Sequence, residues 1–199
     1  MQPCNNSLLH GCVKKIPEKE NIFMKKILVI TSMQNDFIEG PLATKEAAGI
    51  VRNVVSKTRS FKGRIFVILD THYSNYPGTS EDRKHPVPHC TRLTNGWLVN
   101  GDVMAALSGR DFKSIEKQGP GSPKLIHEIS KVIGRDKAEI GFCGLHTDAS
   151  VISNALMAKA FFPEAEITVD VSCCAGTTPG NHDAAVKVMK SCHVNVEGE

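Results

Sequence analysis

Short, uninterrupted apolar runs alternate with stretches of helically spaced apolar residues along most of this chain. That alternation restricts the fold more than any other feature. Ile27–Ile30 and Arg64–Asp70, the latter containing Ile65, Phe66, Val67, Ile68 and Leu69, have no in-and-out alternation, so they predict strands covered on both faces. Ala138–Leu145 and Ile167–Ser172 read as further strands, with weaker ones at Asp111–Glu116 and His193–Val196. Between the first two, Lys45–Arg59 sets Ala47, Ile50, Val51, Val54 and Val55 on one helical face. Helices are also predicted over Asp102–Leu107, Ser122–Ile133, Asp148–Phe161 and Asn181–Lys190. Ser122 suits an N-cap, with Pro123 at the first helical position. Strands alternating with helices mean an α/β domain with a parallel sheet.

At 199 residues, 41% of them hydrophobic, the chain is long enough for one domain with a substantial core. A formal net charge of +3, spread along the sequence, provides no electrostatic case for nucleic acid or a membrane surface. No apolar run approaches the roughly 20 residues that span a bilayer. The seven cysteines (Cys4, Cys12, Cys90, Cys143, Cys173, Cys174, Cys192) are irregularly spaced and form no CxxC pair, which excludes a zinc ribbon or a thioredoxin-type site and suggests free thiols in a cytoplasmic protein. Neither GxGxxG nor GxxxxGK[ST] occurs, so no nucleotide cofactor is expected. Residues 1–23 lack the features of a signal peptide and are expected to be a loose extension, with residues 24–199 as the single domain.

In open α/β sheets, sites form at the carboxyl ends of the strands. Attention therefore falls on Thr31–Phe37, Asp70–Cys90, Lys117–Ser122 and His146–Ser150. The second of these opens a long Pro-, Gly- and His-rich stretch, Thr71–Gly101, of a length that is usually functional or disordered. Asp70, His72, Glu81, His85 and His89 bring two carboxylates and three imidazoles, a donor set suited to a divalent metal such as zinc, iron or manganese. A polar surface loop with ordinary histidines fits the same spacing. Ser150 falls in the first turn of a helix, where free N–H groups favour a nucleophile and its oxyanion. Simple capping by Thr147 or Asp148 is the other reading, and His146 is either a base or a packing residue. Lys117 is either a buried active-site lysine or a solvated one.

Taken in order, these segments resemble a known family over about Lys25 to Val196. The resemblance rests on Met33-Gln34-Asn35-Asp36-Phe37, Asp70-Thr71-His72, Pro86-Val87-Pro88-His89-Cys90 with Gly96-Trp97, and Lys117 with Gly121-Ser122. It continues through Gly144-Leu145-His146-Thr147-Asp148 and Cys173-Cys174-Ala175-Gly176. The family is that of the isochorismatase-like cysteine hydrolases, and within it the nicotinamidase-related branch. The resemblance implies a three-layer αβα sandwich around a six-stranded parallel sheet, Rossmann-like in form. It implies a cytoplasmic homo-oligomer that hydrolyses a small carboxamide. In the family triad a Cys thiolate attacks the carbonyl, an Asp shuttles the proton and a Lys stabilises the charge. The corresponding positions here are Ser150, Ser32 and Lys117. Backbone N–H groups beside a cis peptide, here Leu145–His146, would bind the oxyanion. Asp70, His72, Glu81 and His89 would hold the metal, with His85 as a substitute, and Phe37 and Trp97 would wall the pocket.

Two of the three triad positions depart from that pattern. A thiol with a pKa of about 8.5 ionises with modest help, whereas a serine hydroxyl is a weak nucleophile without an adjacent base. Three readings follow: inherited amide hydrolysis with a degenerate triad, an inactive pseudoenzyme that binds a metal or small ligand, and hydrolysis by metal-activated water. A structural subunit paired with an active relative is a fourth.

Overall fold

The apolar runs become strands β1 (Met24–Thr31), β2 (Arg64–Asp70), β3 (Phe112–Lys117), β4 (Lys137–Leu145), β5 (Glu166–Ala175) and β6 (Asn195–Glu197) in the computed structural model. The structure describes residues 24–199, so the extension expected over 1–23 lies outside the described residues. All six strands join one parallel sheet in the order β3-β2-β1-β4-β5-β6. The chain builds outward from β1 to β3, then crosses to β4 on the other side of β1. Ile27–Ile30 and Ile65–Ile68 are almost wholly shielded from solvent, as expected for central strands with helices on both faces. Burial of each such side chain contributes about 1.5 to 3 kcal/mol. No helix among the described residues is long and apolar enough to cross a membrane.

The helices are α1 (Asn35–Ile38), α2 (Lys45–Gly49), α3 (Val51–Ser60), α4 (Gly101–Leu107), α5 (Pro123–Ile133), α6 (Ile152–Phe161) and α7 (Pro179–Ser191). Ser122 caps α5 as its sequence suggests: its Oγ accepts from the Leu125 N–H at 3.2 Å, and Pro123 opens the helix. Three details differ from the sequence reading. The helix expected over Lys45–Arg59 is interrupted at Ile50 (φ −85°, ψ −11°), next to Gly49, the poorest helix former in the run. Ala47, Ile50 and Val54 nevertheless all stay buried. The helix expected from Asp148 begins as a π-helical turn, Thr147–Val151, a distortion that tends to occur at functional positions. α1 was not foreseen, because four residues are too few to display a helical period.

Candidate active site

β3, β2, β1 and β4 lie side by side, and each delivers one polar side chain to the same end of the sheet. Asp70 and Lys117 are register partners on β2 and β3, so their side chains emerge as neighbours. The Lys117 ammonium, only 3% exposed, pairs with Asp70 Oδ1. Asp70 Oδ2 accepts from the Ser32 hydroxyl at 2.6 Å, and Ser32 Oγ lies 3.4 Å from Ser150 Oγ. The backbone of Ser32 is left-handed (φ 50°), a conformation uncommon outside glycine. Its N–H donates to the Ile68 carbonyl at 2.9 Å, which ties the end of β1 to β2. Ser32, Lys117 and Ser150 are thus brought together, with Asp70 between the lysine and the serines.

Ser150 stands in the π-helical turn that follows β4. A cis peptide joins Leu145 to His146 immediately before that turn. Gly144 has φ 107°, and a Cβ there would overlap the Thr31 carbonyl oxygen, so the approach of β4 to β1 requires glycine. Ser150 Oγ also reaches the Pro120 carbonyl at 3.3 Å. Asn154, fully buried, organises this corner. Its Nδ2 donates to the carbonyls of Ser150 (2.7 Å) and Pro120 (3.1 Å), and its Oδ1 accepts from the Ser122 N–H (2.9 Å). Asn154→Ala removes three hydrogen bonds from this corner, one of them to the buried Ser122 N–H, and should cost about 2 to 4 kcal/mol. Urea unfolding checks this, and a loss below about 1 kcal/mol would show that these bonds do not hold the corner. The His146 ring packs edge-on against Phe37 with centroids 5.0 Å apart, and burial holds its pKa below the usual range. It makes no hydrogen bond to Ser150.

Beside the serines, His72, Glu81 and His89 form a compact donor group, with one ligand atom from each within 4.8 Å of the others. His89 Nδ1 lies 2.8 Å from the Val87 carbonyl, the geometry of an Nδ1–H donor that leaves Nε2 as the free ring nitrogen. Both imidazole Nε2 atoms face Glu81 Oε1, at 3.7 Å from His72 and 3.6 Å from His89. Burial lowers the pKa of His72, against the pull of Glu81. Burial also penalises His89⁺, but the nearby Glu81 carboxylate and the bond to the Val87 carbonyl prevail and raise its pKa. Among the described residues His72 Nε2 is buried without a hydrogen-bond partner, and a metal ion would satisfy it. Two histidines and a carboxylate suit zinc, iron or manganese. Asp70 stands outside this group with its oxygens on Lys117 and Ser32. His85 is exposed and stands outside it too, its carbonyl accepting from the Tyr76 hydroxyl at 2.7 Å.

A cavity of about 420 Å³ opens over both features. Phe37, Leu42, Thr44, Glu81, His89, Lys117, His146 and Ser150 contribute to its lining. Trp97 does not. Its indole N–H donates to Thr71 Oγ1 at 2.8 Å and Arg92 lies over its ring, so it fastens the long loop to the end of β2. Asp36 fastens the same loop by accepting from the Cys90 N–H at 2.6 Å. Gln34 holds Asp70 from both sides of its peptide. Its Oε1 accepts from the Asp70 N–H at 2.8 Å, and its Nε2 donates to the Asp70 carbonyl at 2.9 Å. Gln34 and Asn154 act mostly on backbone more than 30 residues away, so the local residue pattern does not reveal the bonds they make. Burial raises the Cys143 and Cys174 thiols and pushes Cys173 up to about 11, so these remain protonated at neutral pH.

The chain matches the isochorismatase domain family over residues 26–197. No curated protein sequence matches it. Among solved structures, it is similar to the nicotinamidase/pyrazinamidase of Bacillus subtilis, with 22% identity and a TM-score of 0.76 over 87% of this chain and 99% of that one. The pyrazinamidase of Pyrococcus horikoshii, solved with zinc, is also 22% identical, with a TM-score of 0.68 over 88% of this chain and 99% of that one. An N-carbamoylsarcosine amidase from Thermoplasma acidophilum is 24% identical, with a TM-score of 0.67 over 87% and 96% of the two chains. At these identities the likeness is one of fold.

Proposed function

This chain belongs to the isochorismatase family, and from that membership we propose that it hydrolyses small carboxamides with the Ser150 hydroxyl as the attacking group. The observation that carries the reading is convergence. Ser150, the Lys117–Asp70 pair and the donor group of His72, Glu81 and His89 all line or adjoin one cavity large enough for a small ring-bearing amide. A divalent metal held by His72, Glu81 and His89 would supply a Lewis-acidic anchor for a ligand nitrogen or oxygen. Phe37 and His146 offer flat apolar surface to a ring. Lys117 and the N–H groups of the first turn after β4 provide positive potential where the carbonyl oxygen gains charge. Ser150 attacks the carbonyl carbon, the amine leaves, and water releases the acid from the acyl-serine. An oxygen nucleophile in place of sulfur makes the expected turnover slow.

The test is ammonia release from nicotinamide with added zinc or manganese. Release that disappears in Ser150→Ala supports the reading, and release unchanged in that variant overturns it. If His72→Ala abolishes turnover while Ser150→Ala does not, the attacking group is metal-activated water instead. The spacing of the serines favours a second reading, an inactive family member that keeps its ligand. Among the described residues Ser150 Oγ hydrogen-bonds to no carboxylate or imidazole, only to another hydroxyl at 3.4 Å and a carbonyl. Nicotinamide binding without ammonia release would select it.

A further inference from the structure

Resting on Ser150 as the attacking group, we infer that Asp148 and Thr177 are positioning residues for it, and that the turn joining β5 to α7 is a clasp on the π-helical turn that carries the nucleophile. The run Cys173-Cys174-Ala175-Gly176 brings the clasp to the site. Gly144 and Leu145 of β4 are register partners of Cys174 and Ala175 of β5, so the two strands end side by side and the segments beyond them meet. Asp148 accepts twice from Thr177, at Oδ1 from its N–H (2.8 Å) and at Oδ2 from its hydroxyl. Thr177 Oγ1 in turn accepts from Asn181 Nδ2 at 2.9 Å, in the first turn of α7. A second tether lies one residue back, where Thr147 Oγ1 is 2.8 Å from His182 Nδ1. Gly176 lets α7 come this close. A Cβ there would stand 2.8 Å from both the His182 nitrogen and the Thr178 carbonyl oxygen, so a side chain would force the helix to shift.

Among the described residues, the π-helical turn has no side-chain cap. Thr147 and Asp148, the residues suited to cap it, bond to His182 and Thr177 instead. Burial opposes ionisation of Asp148, but the two hydrogen bonds from Thr177 prevail and keep its pKa below the usual range. The clasp is therefore charge-assisted at neutral pH, the stronger kind of hydrogen bond. Ser150 follows Asp148 by two residues on the same turn, and Thr177 also borders the cavity, so one contact places the nucleophile and a wall together.

The experiment puts a thiol reporter at position 150 of the full chain by Ser150→Cys. Its alkylation by iodoacetamide is followed at neutral pH, with peptide mass mapping to separate it from the native cysteines. In that chain Asp148→Ala and Thr177→Val should each slow alkylation by about 10-fold, while Thr177→Ser, which keeps both donors, should hold it within about 2-fold. The direction decides between causes. Deleting a nearby carboxylate, taken alone, favours the thiolate and would speed alkylation, whereas displacing the turn moves the thiol from its N–H groups and slows it. With Ser150 in place, Asp148→Ala should lower kcat for ammonia release from nicotinamide by about 10-fold and change KM by less than about 3-fold, because Asp148 is not among the described residues that line the cavity. Faster or unchanged alkylation in Asp148→Ala overturns the inference. So does a Thr177→Ser chain as slow as Thr177→Val, which would assign the effect to packing. If the alkylation pattern holds and the native chain releases no ammonia, the clasp stands and serine attack falls. If ammonia release depends on Ser150 but is indifferent to Asp148→Ala, serine attack stands and the clasp falls.

Discussion

Ser150→Cys and Ser32→Asp introduced together should raise ammonia release from nicotinamide by about 10²- to 10⁴-fold over the native chain. Sulfur ionises near neutral pH where a hydroxyl does not, and the Asp side chain at position 32 would project from the end of β1 directly toward position 150. Lys117, buried against Asp70 on the adjoining strand, brings positive charge to this corner and offsets the nearness of the Asp70 carboxylate, 2.6 Å from Ser32 Oγ. The two changes should be strongly non-additive. A thiol without its neighbouring base, or a base without the thiol, recovers only a fraction of the gain, as expected of groups that act as a unit. Steady-state ammonia assays on both single variants and the double variant check this. A double variant no faster than the native chain would mean that the cavity does not present an amide to position 150.

The second large effect concerns the metal. Glu81→Gln should weaken zinc binding by at least about 100-fold, because it removes the carboxylate that, among the described residues, the two imidazole Nε2 atoms share. Binding to the folded state alone also stabilises it. Zinc at about 1,000 times its Kd adds about 4 kcal/mol, or roughly 8 to 16 °C in Tm for a chain of this size. At the same zinc concentration that increment should fall to about 1.4 kcal/mol or less in Glu81→Gln, while the unliganded Tm stays close to that of the native chain, because Glu81 is partly exposed and carries little packing. Differential scanning calorimetry with and without zinc reads both quantities. An undiminished zinc shift in Glu81→Gln would assign the metal to other residues.

Much of the fold was legible because its determinants are local. Ile27–Ile30 and Ile65–Leu69 are uninterrupted apolar runs that only a strand shielded on both faces can hide, and Ser122-Pro123 marks the start of α5 by the chemistry of a cap. Interruptions were less visible. The break at Ile50 and the π-helical turn at Thr147–Val151 leave the apolar spacing nearly unchanged, so the helical pattern reads through them. The histidines and carboxylates of the long loop were identifiable by residue type, yet which of them converge was not. Glu81 reaches both His72 and His89, whereas His85, four residues beyond Glu81, stays exposed outside the group. Trp97, expected in the pocket wall, is anchored on Thr71, a partner that only the folded loop brings within reach.

The sequence by itself determined the parallel α/β architecture and the strand ends that carry chemistry. Those follow from residue identity and from periodicity along the chain, while the comparison of Ser32 and Ser150 with a carboxylate and a thiol rests on the family resemblance. Only the tertiary structure decided where the Asp70 carboxylate sits. The sheet order β3-β2-β1-β4 and the register of β2 with β3 set it between Lys117 and Ser32, neighbours that no local pattern along the chain reveals.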